Sequence, residues 1–66
     1  MKLIARWNTR QNKYWFELYQ DELGFSYEGN ECGGNLGNIS LEEAIQKIEK
    51  KVDYMKSDGF KMHRSI

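Results

Sequence analysis

Apolar residues recur along this chain with two different periods. From Lys2 to Asn8 the pattern alternates, with Leu3, Ala5 and Trp7 on one side and Lys2, Ile4 and Arg6 on the other, as a half-buried strand requires. Thr9-Arg10-Gln11-Asn12 interrupts it as a polar turn. The run Lys13–Gln20 alternates again, with Tyr14, Phe16 and Leu18 opposite Trp15, Glu17 and Tyr19. Phe16 and Leu18 make the first set the better core face, which leaves Trp15 and Tyr19 beside Glu17 on the other. Asp21-Glu22-Leu23-Gly24 suits a hairpin connection, with Gly24 available for positive φ, and Phe25–Glu28 then reads as a short third strand.

Beyond Ser40 the period changes. Leu41, Ala44, Ile45, Ile48, Val52 and Met55 fall on one stripe of a helix predicted over 41–57, and Gly59 closes it. Ser40 as N-cap with Glu43 three residues on forms a capping box, and about 17 residues at 1.5 Å each give a helix of roughly 25 Å. The expected elements are strands at about 2–8, 13–20 and 25–28, a loop over 29–39, the helix, and a tail over 60–66 that either returns as an edge strand or packs loosely. The fold class is therefore α+β in a single small domain of residues 1–66, with a three-stranded antiparallel sheet followed by one amphipathic helix (β-β-β-α). A short C-terminal strand is left open. One helix covers one face of such a sheet, so the other face stays uncovered and is where function is expected.

Composition narrows the classes. Sixty-six residues lie near the lower limit for a core without disulfide or metal, and the single cysteine, Cys32, has no internal partner. A reducing, cytoplasmic setting is the expectation. No apolar run approaches a membrane span, and charge breaks the first residues before a signal-peptide core forms, so neither membrane insertion nor export is expected. The net charge of zero hides blocks: Lys2, Arg6, Arg10 and Lys13 come before any acid, and seven acids follow from Glu17 to Glu43 without a base. Basic residues prevail again from Lys47 onward. Charge separated in this way gives a dipolar surface that can steer a charged partner.

Candidate chemistry is sparse. The segment Gly29–Asn38 is rich in Gly and Asn and leads into a helix N-terminus, the setting of a phosphate cradle, but it lacks the Gly-x-x-x-x-Gly-Lys pattern and carries no base. A structural loop is the expectation there. Cys32 and His63 are a conceivable nucleophile and base, yet a chain of this size has little room for an orienting acid, an oxyanion site and a pocket. One Cys and one His fall short of a zinc site. Glu17 and Glu28 could pair across neighbouring strands, within a generally acidic segment. The reading is of a non-enzyme with no cofactor and no metal.

The aromatics carry more weight. Phe, Trp and Tyr make up 14% of the chain, more than one three-stranded core needs, so some are expected at the surface. Trp15 and Tyr19 on the open face can stack bases or bury against protein. Glu17 and Glu28 beside them repel a phosphate backbone, which favours a protein partner. Trp15, Glu17, Tyr19 and Glu28 are thus the expected contact residues, for a basic partner or a second copy of the chain.

Two families share these motifs. Lys13-Tyr14-Trp15-Phe16-Glu17-Leu18, Asp21-Glu22-Leu23-Gly24, Tyr27-Glu28-Gly29-Asn30 and Ser40-Leu41-Glu42-Glu43-Ala44-Ile45 resemble the sheet-and-helix domain of HicB-like antitoxins, over about residues 1–56. In that family a Tyr-Trp strand runs into an Asp-Leu-Pro-Gly turn, a short Gly-containing strand and a Thr-Leu-Glu-Glu-Ala helix. Here the turn has no proline, and Glu31–Ile39 lengthens the connection to the helix. The resemblance implies a small non-enzymatic acidic module, often dimeric, that sequesters a basic RNA-cleaving toxin; an inhibitor of another protein is the same class of molecule. Asn12–Leu18 and Leu36–Ala44 are also similar to the three-stranded DNA-binding domains of integrase arms and plant ethylene-response factors. That resemblance implies nucleic-acid contacts through Arg6, Arg10 and Lys13, and is the alternative reading.

Overall fold

The computed structural model describes residues 1–10, 13–30, 32–53, 55 and 59–64. The class is α+β, as expected, but among the described residues the sheet has five strands, where three and an open C-terminal fourth were predicted. Strands β1 (Lys2–Thr9), β2 (Trp15–Asp21), β3 (Gly24–Gly29) and β4 (Gly33–Gly37) form an antiparallel meander, helix α1 (Leu41–Lys51) crosses it, and β5 (Phe60–Arg64) returns beside β1. The spatial order is β4-β3-β2-β1-β5, every neighbouring pair antiparallel. The helix therefore connects one sheet edge to the other while lying over central strand β2.

The fourth strand lies within the segment predicted as a loop. Glycine disfavours strands because it has no side chain to pack, yet β4 is held by its main-chain pairing with β3. Tyr27 supplies the missing side-chain contact: its ring lies over Gly34, where a Cβ would come within 3.2 Å of it. Glycine composition was therefore a poor guide to backbone state at this edge. The tail takes the strand alternative over 60–64, as β5.

The first strand departs from strict alternation. Leu3 pairs with Tyr19 and Ala5 with Leu18, leaving Ile4 as the extra residue of a β-bulge. Ile4 and Ala5 are consequently both fully buried, and Leu3, which alternation places on one side with Ala5 and Trp7, turns to the opposite face. The core then comprises Ile4, Ala5 and Trp7 of β1, Phe16 and Leu18 of β2, Phe25 of β3, and Ala44, Ile45, Ile48, Val52 and Met55.

The helix begins where its cap predicts: Ser40 Oγ accepts a hydrogen bond from the Glu43 N–H at 3.2 Å. Glu42 and Glu43 lie in the first turn and Lys50 and Lys51 in the last, complementing the helix dipole. It ends at Lys51, short of the predicted 57. The apolar stripe nevertheless continues, because a 3₁₀ turn closed by Met55 N–H to Val52 C=O at 2.8 Å carries both side chains into the core. A spacing of three residues satisfies a 3₁₀ turn as well as a helix, so periodicity alone misplaced the boundary. Positions 54 and 56–57 of the predicted helix lie outside the described residues.

Candidate docking face

Paired residues of a sheet share a face, so the strand registers define what lies opposite the helix. Glu28 pairs with Glu17, Glu17 with Arg6, and Arg6 with His63. These four residues make one row across β3, β2, β1 and β5, at about 4.8 Å per strand. On one side of it Ser26, Tyr19 and Leu3 make a parallel row, flanked by Asn35 of β4. On the other side are Trp15, Asn8 and Lys61. The acids occupy β2 and β3, the basic groups β1 and β5, and Leu3, Trp15 and Tyr19 lie along the middle two strands.

Local structure fixes these side chains. Asn30 clips the end of the β1–β2 connection: its Oδ1 accepts from the Trp15 N–H at 3.2 Å, its Nδ2 donates to Lys13 C=O at 3.3 Å, and its N–H donates to Trp15 C=O at 3.3 Å. Trp15 thereby enters β2 in a defined register. Two residues on, the same strand face brings Tyr19 to Glu17, and the phenol donates to Glu17 Oε1 at 2.9 Å. That bond, then partial burial and the negative charges of Glu17 and Glu28, push the Tyr19 pKa up, with Arg6 pulling in the other direction. Trp15, Glu17 and Tyr19 are half-buried and Glu28 is exposed.

The four expected contact residues therefore sit on one face and within one cluster. The three basic residues of the alternative reading do not act together in the same way. Arg6 belongs to the face but is flanked by Glu17, whereas exposed Arg10 follows β1 and Lys13 precedes β2, its Nζ 5.4 Å from the Tyr14 ring centroid. Cys32 and His63 are parted by the sheet itself: Cys32 precedes edge strand β4, and His63 is on the opposite edge. The Gly-rich segment weighed as a phosphate cradle is largely strand β4. Among the described residues no group of three or more His, Cys, Asp or Glu comes together as a metal would need, so Glu17 and Glu28 stand as a pair.

Sequence reasoning did not assign Leu3, Lys61 or His63 to this face. Leu3 arrives there only through the bulge, and Lys61 and His63 only because the tail pairs with β1. The alternation of Phe60 and Met62 with Lys61 and His63 was the available signal for the last two.

No family model matches the chain, and no curated protein or solved structure is significantly similar to it. Among the described residues no helix is long and apolar enough to cross a membrane.

Proposed function

We propose that the chain is a non-enzymatic protein-binding module, a cytoplasmic inhibitor or antitoxin-like protein that docks through the sheet face opposite its helix. The observation that carries this reading is the direct pairing of Glu17 with Glu28 on a face that also holds half-buried Trp15 and Tyr19. Like charges opposite each other on adjacent strands destabilise a sheet, and a cation brought by a partner relieves that repulsion. Large amphipathic rings next to the acids supply contact area at small entropic cost, as Trp and Tyr do at interface centres. A phosphate backbone meets the opposite condition, because Glu17 lies directly beside Arg6 and Glu28 follows one strand further on.

The test is affinity capture on the full chain at two salt concentrations, with nuclease-treated lysate alongside and mass measured on the eluate. A stoichiometric protein that survives nuclease and is lost with Trp15→Ala and Tyr19→Ala is the expected result. Recovery of nucleic acid alone, lost at higher salt and with Arg6→Ala, overturns the reading in favour of nucleic-acid binding.

A further inference from the structure

The row Glu28, Glu17, Arg6, His63 reads carboxylate, carboxylate, guanidinium, imidazole across four consecutive strands, and Lys61 on the last of them sets a positive charge beside the imidazole. Such a row is its own complement when reversed. We infer that in the absence of another partner the open face is covered by a second copy of this chain, packed face to face about a two-fold axis that runs along the strands between β1 and β2. This inference rests on the reading of that face as a docking surface.

The direction of the axis follows from the charges. A two-fold axis along the strands reverses the strand order, so β2 of one protomer lies over β1 of its partner and β3 over β5. Glu17 then opposes Arg6 and Glu28 opposes His63, each contact occurring twice, while Tyr19 meets Leu3 in the adjoining row. An axis across the strands instead lays each strand on its own copy, so that acidic β2 and β3 face β2 and β3 and the basic strands face each other, and like charges repel. The charge pattern thus selects one of the two isologous ways to stack the sheets. Lys61, beside His63 on β5, adds to the basic half.

Packed in this way the two sheets form a sandwich about 10 Å between layers, with a helix on each outer face. Leu3, Trp15 and Tyr19 of both protomers make its inner layer. Charge pairs at such an interface set register and exclude wrong partners more than they add affinity, and the face is only about as wide as the five strands, roughly 20 Å. A dimer with a dissociation constant in the micromolar range is expected rather than an obligate one.

Charge exchange tests the proposal on the full chain. Sedimentation equilibrium should show a monomer–dimer equilibrium for the wild type. Glu17→Arg and Arg6→Glu should each weaken self-association at least tenfold, with circular dichroism confirming that both remain folded. An equimolar mixture of the two variants should recover a heterodimer to within about threefold of wild type, because each Arg then faces a Glu. Where either variant fails to fold, isotope-filtered contacts in mixed-label wild type should place the Tyr19 ring of one copy against the Leu3 methyls of the other. A monomer at all concentrations, a dimer indifferent to both reversals, or a mixture that does not recover overturns the second-copy proposal. If the wild type is monomeric but Trp15→Ala and Tyr19→Ala still abolish capture of another protein, only this inference falls. A dimer unmoved by the reversals and by Trp15→Ala removes the docking face as well.

Discussion

Trp7 and Trp15 stand on neighbouring strands of one sheet and point to opposite faces. Trp7 lies under the helix with no exposed surface, in a cluster with Phe16, Leu18, Ile48 and Met55. Its indole N–H has no hydrogen-bond partner among the described residues, an omission that costs about 1–3 kcal/mol in a dry interior. Apolar burial on that face outweighs the penalty. Trp15 keeps part of its surface in water, between a carboxylate-bearing strand and Asn8. The sheet therefore has one face built by exclusion of water and one organised by charge.

Truncation of each tryptophan gives the largest contrast. Trp7→Ala should cost about 3–5 kcal/mol, from lost transfer energy and the cavity left behind, which is most of the stability of a domain this small. Trp15→Ala, measured at a concentration where the protein is monomeric, should cost less than about 1 kcal/mol. Urea unfolding followed by circular dichroism reads both. Equal losses would break the comparison, since they would mean that Trp15 is as fully enclosed as Trp7.

Neither face accounts for the β2–β3 hairpin, where backbone geometry governs. Gly24 has φ of +126°, and a Cβ there would collide with the Gly37 carbonyl in the adjoining strand. Gly24→Ala should therefore lose about 1–3 kcal/mol by forcing a non-glycine residue into a disallowed region, visible as a lower urea midpoint with an unchanged slope. A change below 0.5 kcal/mol, taken as roughly the noise of a neutral surface substitution, would show that the turn relaxes freely.

The cover of the apolar face begins at one cap. Replacing Ser40, whose Oγ accepts from Glu43 N–H, by Ala should cost about 1 kcal/mol. The loss should appear as fraying of the first helical turn in hydrogen exchange, with the core amides of β1 and β2 protected as before. Exchange accelerated equally throughout the sheet would instead mean that the cap and the core unfold together.

The division between the faces was legible where alternation holds and illegible where pairing decides. Phe16 and Leu18 against Trp15 and Tyr19 follow from period two, and the helix start follows from Ser40 and its acidic first turn. Leu3 and Ile4 exchange roles because a bulge resets the period in the middle of β1, and nothing in Leu3-Ile4-Ala5 marks the position of an extra residue. Strand β4 is held by backbone pairing and by the Tyr27 ring over Gly34, so its own residues carry little strand signal. The charge row was hidden for the same reason: Glu28, Glu17, Arg6 and His63 are scattered over the sequence, and only register brings them into line.

The smallest expected effect on stability is also the most specific to the open face. The Tyr19 phenol donates to the Glu17 carboxylate, and ionising it would replace a hydrogen bond with two adjacent negative charges, so its pKa lies above the usual 10.0. A pKa raised in the folded state means that folding retains the phenolic proton. The associated stabilisation is fully present below about pH 10 and disappears as pH rises through the folded-state pKa of Tyr19. Glu17→Gln keeps an oxygen able to accept the bond but removes the charge, so Tyr19 should titrate at lower pH than in the wild type, followed by the NMR shift of its ring carbons. At neutral pH the same substitution should change stability by no more than about 0.5 kcal/mol, because relief of the repulsion from Glu28 offsets the weaker bond to Tyr19. An unchanged Tyr19 titration would mean that the carboxylate does not govern that ring, and the open face would then lose its distinction from the buried one as the face organised by charge.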